Sequence, residues 1–145
     1  MKKKLRRSEF FKRAMSLAVA FVMLLSFLPM MPHVHAAGEE TITVYFRNDW
    51  LWSDIRAYYW GSADTNPDWP GAEMTKVDTV DGKDIYSAEL PADITGLIFN
   101  GVKNDGSGSR DQTPDIKDIS FADGMAFYIY WDNGNRYGTF EYTPD

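Results

Sequence analysis

Seven short segments in which residue types alternate, each bounded by turn residues, constrain the fold more than any other feature of this sequence. Alternation places successive side chains on opposite faces of a strand, and no segment sustains a 3.6-residue helical repeat. The segments are 41–47, 54–60, 74–78, 84–90, 95–101, 126–131 and 137–142. They predict an all-β, antiparallel β-sandwich of immunoglobulin-like shape with six to eight strands. The turn Asp132-Asn133-Gly134-Asn135 predicts a hairpin.

The first 36 residues are predicted to be a signal peptide rather than part of the fold. Seven Lys and Arg residues precede an apolar run from Ala14 to Met31, and the segment ends at Val34-His35-Ala36. That pattern is typical of a cleaved leader. The run is about long enough to span a bilayer as a retained anchor, but its prolines and the Val-x-Ala ending favour cleavage after Ala36. We therefore predict a secreted, extracellular module over residues 37–145.

The charge and composition of residues 37–145 exclude several function classes. The chain has 15 Lys+Arg and 21 Asp+Glu, and seven of the bases but one acid lie in residues 1–36. The remainder therefore carries a net charge of −12, which disfavours nucleic acid or an anionic membrane as partner. It contains no cysteine and no histidine, which removes Ser-His-Asp catalysis and the common zinc sites. No cofactor and no metal are predicted, and calcium is disfavoured because no twelve-residue loop has the required ligand spacing.

Aromatic residues are more numerous than a small core needs, with 18 among the 109 residues from 37 to 145. On the segment Asp54–Trp60, alternation predicts that Ile55, Ala57 and Tyr59 face the core. Arg56, Tyr58 and Trp60 then share the outer face. Trp69 lies in an Asp68-Trp69-Pro70-Gly71 turn that can fold back towards Tyr58. Clustered exposed aromatic rings usually bind a partner, although burial is the competing interpretation for Tyr58 and Trp60.

Three further tryptophans are assigned structural roles. Trp50, Trp52 and Trp131 are predicted to pack in the core or at a sheet edge. Trp52 lies close to a predicted strand start.

Sugars suit exposed aromatic platforms for a physical reason. A pyranose ring presents a face of C–H groups that lies well on the electron-rich face of an indole or phenol. Two platforms set at an angle would match a helical α-1,4-glucan, whereas coplanar platforms would suit a flat β-glucan. Amide and charged side chains around the rings would bond the hydroxyl groups.

Four motifs resemble the starch-binding modules of carbohydrate-binding family 26, and its sibling family 25 shares part of the pattern. The resemblance spans about residues 41–142. The motifs, in chain order, are Arg56–Trp60 (RAYYW), Trp69–Met74 (WPGAEM), Ile98–Gly101 (IFNG) and Gln112–Ile116 (QTPDI).

The resemblance implies a site. Tyr58 and Trp69 match the two main stacking residues of the family, and Gln112 matches a polar residue that bonds sugar hydroxyls. Many members have tyrosine where this chain has Arg56, so Arg56 is expected to stack or donate there, with Trp60 compensating from the same face. Ten residues separate Gly101 from Gln112, an insertion that contributes Lys103, Asn104 and Arg110 near the site; Lys103 is included among the expected ligand-binding residues.

The function predicted for the chain is non-catalytic binding of starch or maltooligosaccharide, with no catalytic residues. Further domains or an amylase are expected as partners. Three alternatives stay open at this point: a protein–protein adhesion module, a binder of another polysaccharide such as a β-glucan, and a small glycosidase. The last is disfavoured because no carboxylate pair stands out for glycoside hydrolysis and a small sandwich offers no deep cleft.

Overall fold

The computed structural model describes residues 40–145, which form ten β-strands and no helix. Within these residues there is accordingly no helix that could cross a membrane. The predicted signal peptide lies outside the described residues. The strands are β1 (Thr41–Arg47), β2 (Ser53–Trp60), β3 (Ala72–Glu73), β4 (Thr75–Val80), β5 (Lys83–Pro91), β6 (Gly96–Val102), β7 (Arg110–Gln112), β8 (Ile116–Lys117), β9 (Ala126–Trp131) and β10 (Asn135–Phe140).

The strands form two sheets of five strands each. Sheet A has the order β10-β9-β1-β5-β4, and sheet B has the order β3-β2-β6-β7 with β8 also paired to β6. The pairing of β1 with β9 is parallel, from Tyr45↔Ala126 to Arg47↔Tyr128, whereas the other recorded pairs are antiparallel. The all-β prediction is therefore confirmed, and the prediction of antiparallel pairing holds except at β1–β9.

The hydrophobic core lies between the inner faces of the two sheets. The Phe46 ring of sheet A stacks on the Phe99 ring of sheet B with centroids 4.8 Å apart, and Phe127 approaches Phe99 at 5.4 Å. All three side chains are fully buried. Because these rings come from β1, β6 and β9, they join both sheets through one continuous apolar layer.

The connection from β1 to β2 carries the chain from one sheet to the other. Asn48 is 4% exposed, and its side-chain amide donates to the Trp52 carbonyl at 2.8 Å while its oxygen accepts from the Trp52 N–H at 2.9 Å. This reciprocal pair satisfies backbone groups that the turn would otherwise leave unpaired. The Trp52 side chain is 4% exposed and stacks against Phe46, in keeping with its predicted structural role, and β2 begins at the next residue.

The outer face of sheet A uses several aromatic rings structurally. The Arg47 guanidinium lies 4.7 Å from the Tyr128 ring centroid and 4.9 Å from that of Phe140. The Arg47 Nε also donates to Asp49 at 2.9 Å. Cation–π contacts of this kind hold a side chain in place. Some of the aromatic residues that the core does not need therefore have a structural role on this face.

The structure corrects one tryptophan assignment. Trp50 packs against the core, but Trp131 is 71% exposed. The prediction of core or edge packing for Trp131 is therefore wrong. By strand alternation Trp131 should face the same side as the buried Ile129. However, it lies three residues beyond the last residue of β9 that pairs with β1, at the hairpin end of the strand, where neither side of the strand is buried.

Candidate functional site

Strand β2 separates a core face from an outer face. Ile55 and Ala57 are buried, and Tyr59 packs against the core. Arg56, Tyr58 and Trp60 alternate with them and are partly exposed. The predicted division of this strand into two faces is confirmed, because strand geometry sends successive side chains to opposite sides.

The turn after β2 returns to lie directly on that strand. The Gly71 N–H donates to the Asp68 carbonyl at 2.8 Å, and the Trp69-Pro70 peptide bond is cis. Gly71 has φ +103°, and a Cβ there would collide with the backbone of Ala57 and Tyr58. Only glycine combines this conformation with so close an approach, so the Trp-Pro-Gly sequence brings Trp69 over β2.

The result is an aromatic cluster, which we define as Tyr58, Trp60 and Trp69. The ring centroids of Tyr58 and Trp69 are 5.4 Å apart at an interplanar angle of 66°, and those of Tyr58 and Trp60 are 6.1 Å apart at 38°. Trp69 is 48% exposed. The cluster therefore presents rings at several angles to one another, with one indole well open to solvent.

The floor beneath the cluster belongs to β6. Gly96 is the cross-strand partner of Trp60, and a Cβ on Gly96 would fall on the Trp60 indole, so this ring rests against the glycine. Ile98 pairs with Tyr58 and is 7% exposed although its strand position points outward. Side chains therefore cover this part of sheet B, and Trp60 has a packing role in addition to any ligand contact.

Arg56 is placed beside the cluster but is held by carboxylates. Its Nε donates to Asp54 Oδ1 at 2.7 Å, and its Nη1 lies 4.0 Å from Glu73 Oε2. The hydrogen bond from Arg110 has the largest effect on the pKa of the Asp54 carboxyl. Together with the bond from Arg56 it keeps this pKa below its usual value, against the opposing effect of partial burial. The Asp54 carboxylate is therefore ionised at neutral pH and orients both guanidinium groups.

Gln112 lies on the same face as Arg56, two strands away. Arg56 pairs with Asn100 on β6, and Asn100 pairs with Gln112 on β7, so Gln112 is roughly 10 Å across the sheet from β2. Its side chain is exposed. Its carbonyl accepts from Asn135 Nδ2 at 2.8 Å, and the same amide donates to Asp111 Oδ1 at 2.9 Å.

Lys103 is not brought to the aromatic cluster. It follows the end of β6, five residues beyond Ile98, which corresponds to roughly 15 Å along an extended chain. Its backbone N–H bonds the Ser109 carbonyl and closes the 103–109 loop. Arg110, in contrast, lies on β7 and contacts residues of β2 and β6.

Asn100 and Asp54 were not assigned to the site from the sequence. Asn100 is fully buried and donates from Nδ2 to the Pro70 carbonyl at 2.9 Å. The signal available was the unusual placement of an asparagine in the apolar segment Leu97–Gly101, because buried amides need complete hydrogen bonding. Asp54 offered no comparable signal, because acidic residues are common throughout the chain.

The chemistry available at this surface is non-covalent contact. Aromatic rings provide apolar faces for stacking, and Arg56 and Gln112 provide polar groups at the rim. Within residues 40–145, no three His, Cys, Asp or Glu side chains are grouped so as to hold a metal ion.

Comparison with known families gives one finding. The family model described as starch-binding module 26 matches residues 44–118, slightly more than half of the chain. The matched region begins in β1, ends just after β8 and contains the whole aromatic cluster together with Gln112. Searches of curated proteins and of solved structures each return no match. The chain belongs to the starch-binding module 26 family, whose members are non-catalytic modules that bind carbohydrate.

Proposed function

We propose that this protein binds α-1,4-glucan, as starch or maltooligosaccharide, by stacking glucose rings on Tyr58 and Trp69. The observation that carries the proposal is the 66° angle between these two rings at a centroid separation of 5.4 Å. An α-1,4-linked chain turns from one glucose to the next, so successive sugars can meet rings inclined to each other. A flat β-1,4-linked chain would meet both rings best if they were coplanar.

The polar groups around the cluster complete the proposed site. The exposed Gln112 side chain is available to exchange hydrogen bonds with sugar hydroxyls, as both a donor and an acceptor. The side chain of Arg56 is 28% exposed and its Nε is engaged by Asp54, so its role is to present a fixed guanidinium plane at the rim. Trp60 flanks Tyr58 as a third ring. Lys103 could contact only a longer glucan, because of its distance from the cluster.

The ligand class fits the charge of the module. Sugars are neutral, so a net charge of −12 over residues 37–145 does not oppose binding, and stacking needs no countercharge. Few rings are available, and ordering a flexible oligosaccharide costs free energy, so a single module should bind with modest affinity. We further propose that the module is secreted and acts beside or attached to an amylase, since linkage to a second site raises the effective affinity.

Isothermal titration of the purified protein with maltoheptaose, with cellohexaose as the matched control, tests the proposed ligand. We expect saturable heat with maltoheptaose and none with cellohexaose, because only the α-linked chain follows the inclined rings. Saturation by cellohexaose alone would reassign the site to a β-glucan. If neither sugar gave a heat of binding and the protein were not retained on granular starch, a protein partner would be favoured instead.

Replacing Gly71 by alanine is expected to weaken maltoheptaose binding and to lower stability, because the new Cβ would collide with the β2 backbone and displace Trp69. We expect a loss of about 2–3 kcal/mol in the free energy of unfolding, from backbone strain and overpacking together. Titration and urea unfolding measure the two effects.

The matched control for this change is Gly82→Ala. Gly82 also has a positive φ, of +75°, but no atom lies within 4 Å of an added Cβ. Gly82→Ala should therefore lower the free energy of unfolding only by the cost of placing alanine at a positive φ, and it should leave maltoheptaose binding unchanged. Equal effects of the two substitutions on binding would contradict the role given to the Gly71 contact.

A further inference from the structure

A buried amide connects the turn that carries Trp69 to the neighbouring strands. The Asn100 side chain is fully buried. Its Nδ2 donates to the Pro70 carbonyl at 2.9 Å, and its Oδ1 accepts from Arg110 Nε at 2.8 Å. A carbonyl only accepts and a guanidinium only donates, so these two partners determine the orientation of the amide uniquely.

Arg110 is itself held at three positions. Besides the bond from Nε to Asn100, Nη1 donates to Asp54 Oδ2 at 2.7 Å and Nη2 donates to the Asp54 carbonyl at 2.6 Å. The same carboxylate accepts from Arg56 Nε through its other oxygen. Charge-assisted bonds to a planar fork are strong and directional, so Arg110 joins the start of β2 to β6 and β7.

These contacts form a continuous path that ends one residue from an exposed indole. It runs from Asp54 through Arg110 and Asn100 to the carbonyl of Pro70, whose neighbour is Trp69. Pro70 has no N–H, so its carbonyl is the backbone group through which the turn can be bonded at this residue. The turn is also constrained by the Asp68–Gly71 hydrogen bond, by the contact of Gly71 with β2, by the pairing of Ala72 with Ala57 and by the ring contact of Trp69 with Tyr58.

We propose that Asn100 and Arg110 are positioning residues that fix the Trp69 indole in its binding orientation before the sugar arrives. The inference rests on the proposed function, since it concerns the affinity of the same site. Preorganisation raises affinity by removing the cost of ordering a ring at the moment of binding. The proposal also assigns a role to Arg110, which lies near the end of the ten-residue segment between Gly101 and Gln112.

Both residues direct side-chain polar groups at other parts of the protein. Asn100 is fully buried, so it cannot reach a bound oligosaccharide. Three of the five N–H groups of the Arg110 guanidinium donate to protein, and the side chain is 21% exposed. The role proposed for these two residues acts through the turn. The motion of the Trp69 indole distinguishes that role from a direct contact of the kind proposed for Gln112, whose side chain is exposed on the same face.

The test compares Arg110→Met with Arg136→Met. Methionine keeps most of the apolar stem of Arg110 while removing all three of its hydrogen bonds. Arg136 is an exposed arginine of β10 whose recorded side-chain bond is a 3.4 Å contact with the Asn135 carbonyl. Two quantities are measured in each variant: the Kd for maltoheptaose, and the order of the Trp69 indole N–H by ¹⁵N relaxation, with its resonance assigned from Trp69→Phe.

We expect Arg110→Met to raise Kd roughly three- to tenfold, the size expected for losing one intramolecular hydrogen bond, and to increase the motion of the Trp69 indole. Arg136→Met should change neither quantity. Asn100→Asp provides a second variant in case Arg110→Met does not fold. It keeps an acceptor for Arg110 but places an oxygen against the Pro70 carbonyl, so the turn alone is released.

The outcomes separate this inference from the proposed function. An unchanged Trp69 indole in both variants overturns the positioning role, whatever happens to Kd. A mobile indole with unchanged Kd also overturns it, because the orientation would then not matter for binding. If the unsubstituted protein does not bind maltoheptaose while the indole becomes mobile in the variants, the proposed ligand fails and the structural connection to Trp69 stands.

Discussion

Substitution of both Tyr58 and Trp69 by alanine is expected to abolish detectable binding of maltoheptaose while the protein still folds. Aromatic anchors in a binding site commonly cost about 2 kcal/mol or more each when truncated. Two such losses correspond to roughly a thousandfold rise in Kd. Because both side chains lie on the outer face of sheet B, outside the core cluster, the fold should survive. Titration measures the binding, and thermal unfolding verifies that the variant is folded.

Trp131→Ala is the matched control for this prediction. Trp131 is an indole even more exposed than that of Trp69, and it lies on β9 of the other sheet. Its removal should leave Kd unchanged, which would show that an exposed tryptophan by itself does not bind the sugar. A folded double variant that retains binding would place the site elsewhere on the surface.

Phe99→Ala should produce the largest loss of stability among single substitutions of the core. The Phe99 ring is fully buried and contacts Phe46 at 4.8 Å and Phe127 at 5.4 Å, so truncation leaves a cavity between the two sheets. Such changes cost about 3–5 kcal/mol, a large part of the total stability of an ordinary domain. Urea unfolding, with both midpoint and slope recorded, measures the difference.

Val77→Ala gives the comparison for the core substitution. Val77 lies on β4 and is 47% exposed, so its truncation should change the unfolding free energy by less than about 0.5 kcal/mol. If Phe99→Ala cost no more than Val77→Ala, the ring could not be the central contact between the sheets.

The sequence predicted the longer strands because their patterns are local. The segment 41–47 coincides with β1, and 126–131 coincides with β9. The short strands β3, β7 and β8 were not predicted, since two or three residues carry no periodicity and form strands only by pairing with β2 or β6. The parallel direction of β1–β9 was also inaccessible, because alternation is identical in parallel and antiparallel strands.

For the site, the outer face of β2 and the approach of Trp69 to Tyr58 followed from alternation and from the turn sequence. The hydrogen bonds of Asn100 and Arg110 did not, because they join residues up to 56 positions apart. The orientation of Arg56 could not be predicted either. Its guanidinium is oriented by Asp54, which has φ +46° and lies within the register shift between Ser53 and Arg56 in β2. Such irregular backbone has no periodic signature.

The parallel pairing of β1 with β9 has a consequence for how the chain reaches its native state. The paired residues Tyr45 and Ala126 are about 80 positions apart, so sheet A is completed only after almost the whole domain has been synthesised. Contacts between such distant segments slow folding to the range of milliseconds to seconds. Until β9 docks, one edge of β1 remains unpaired and able to recruit strands from other copies. Docking of the β9–β10 hairpin therefore removes the unpaired edge of β1 and leaves β4 and β10 as the edges of sheet A.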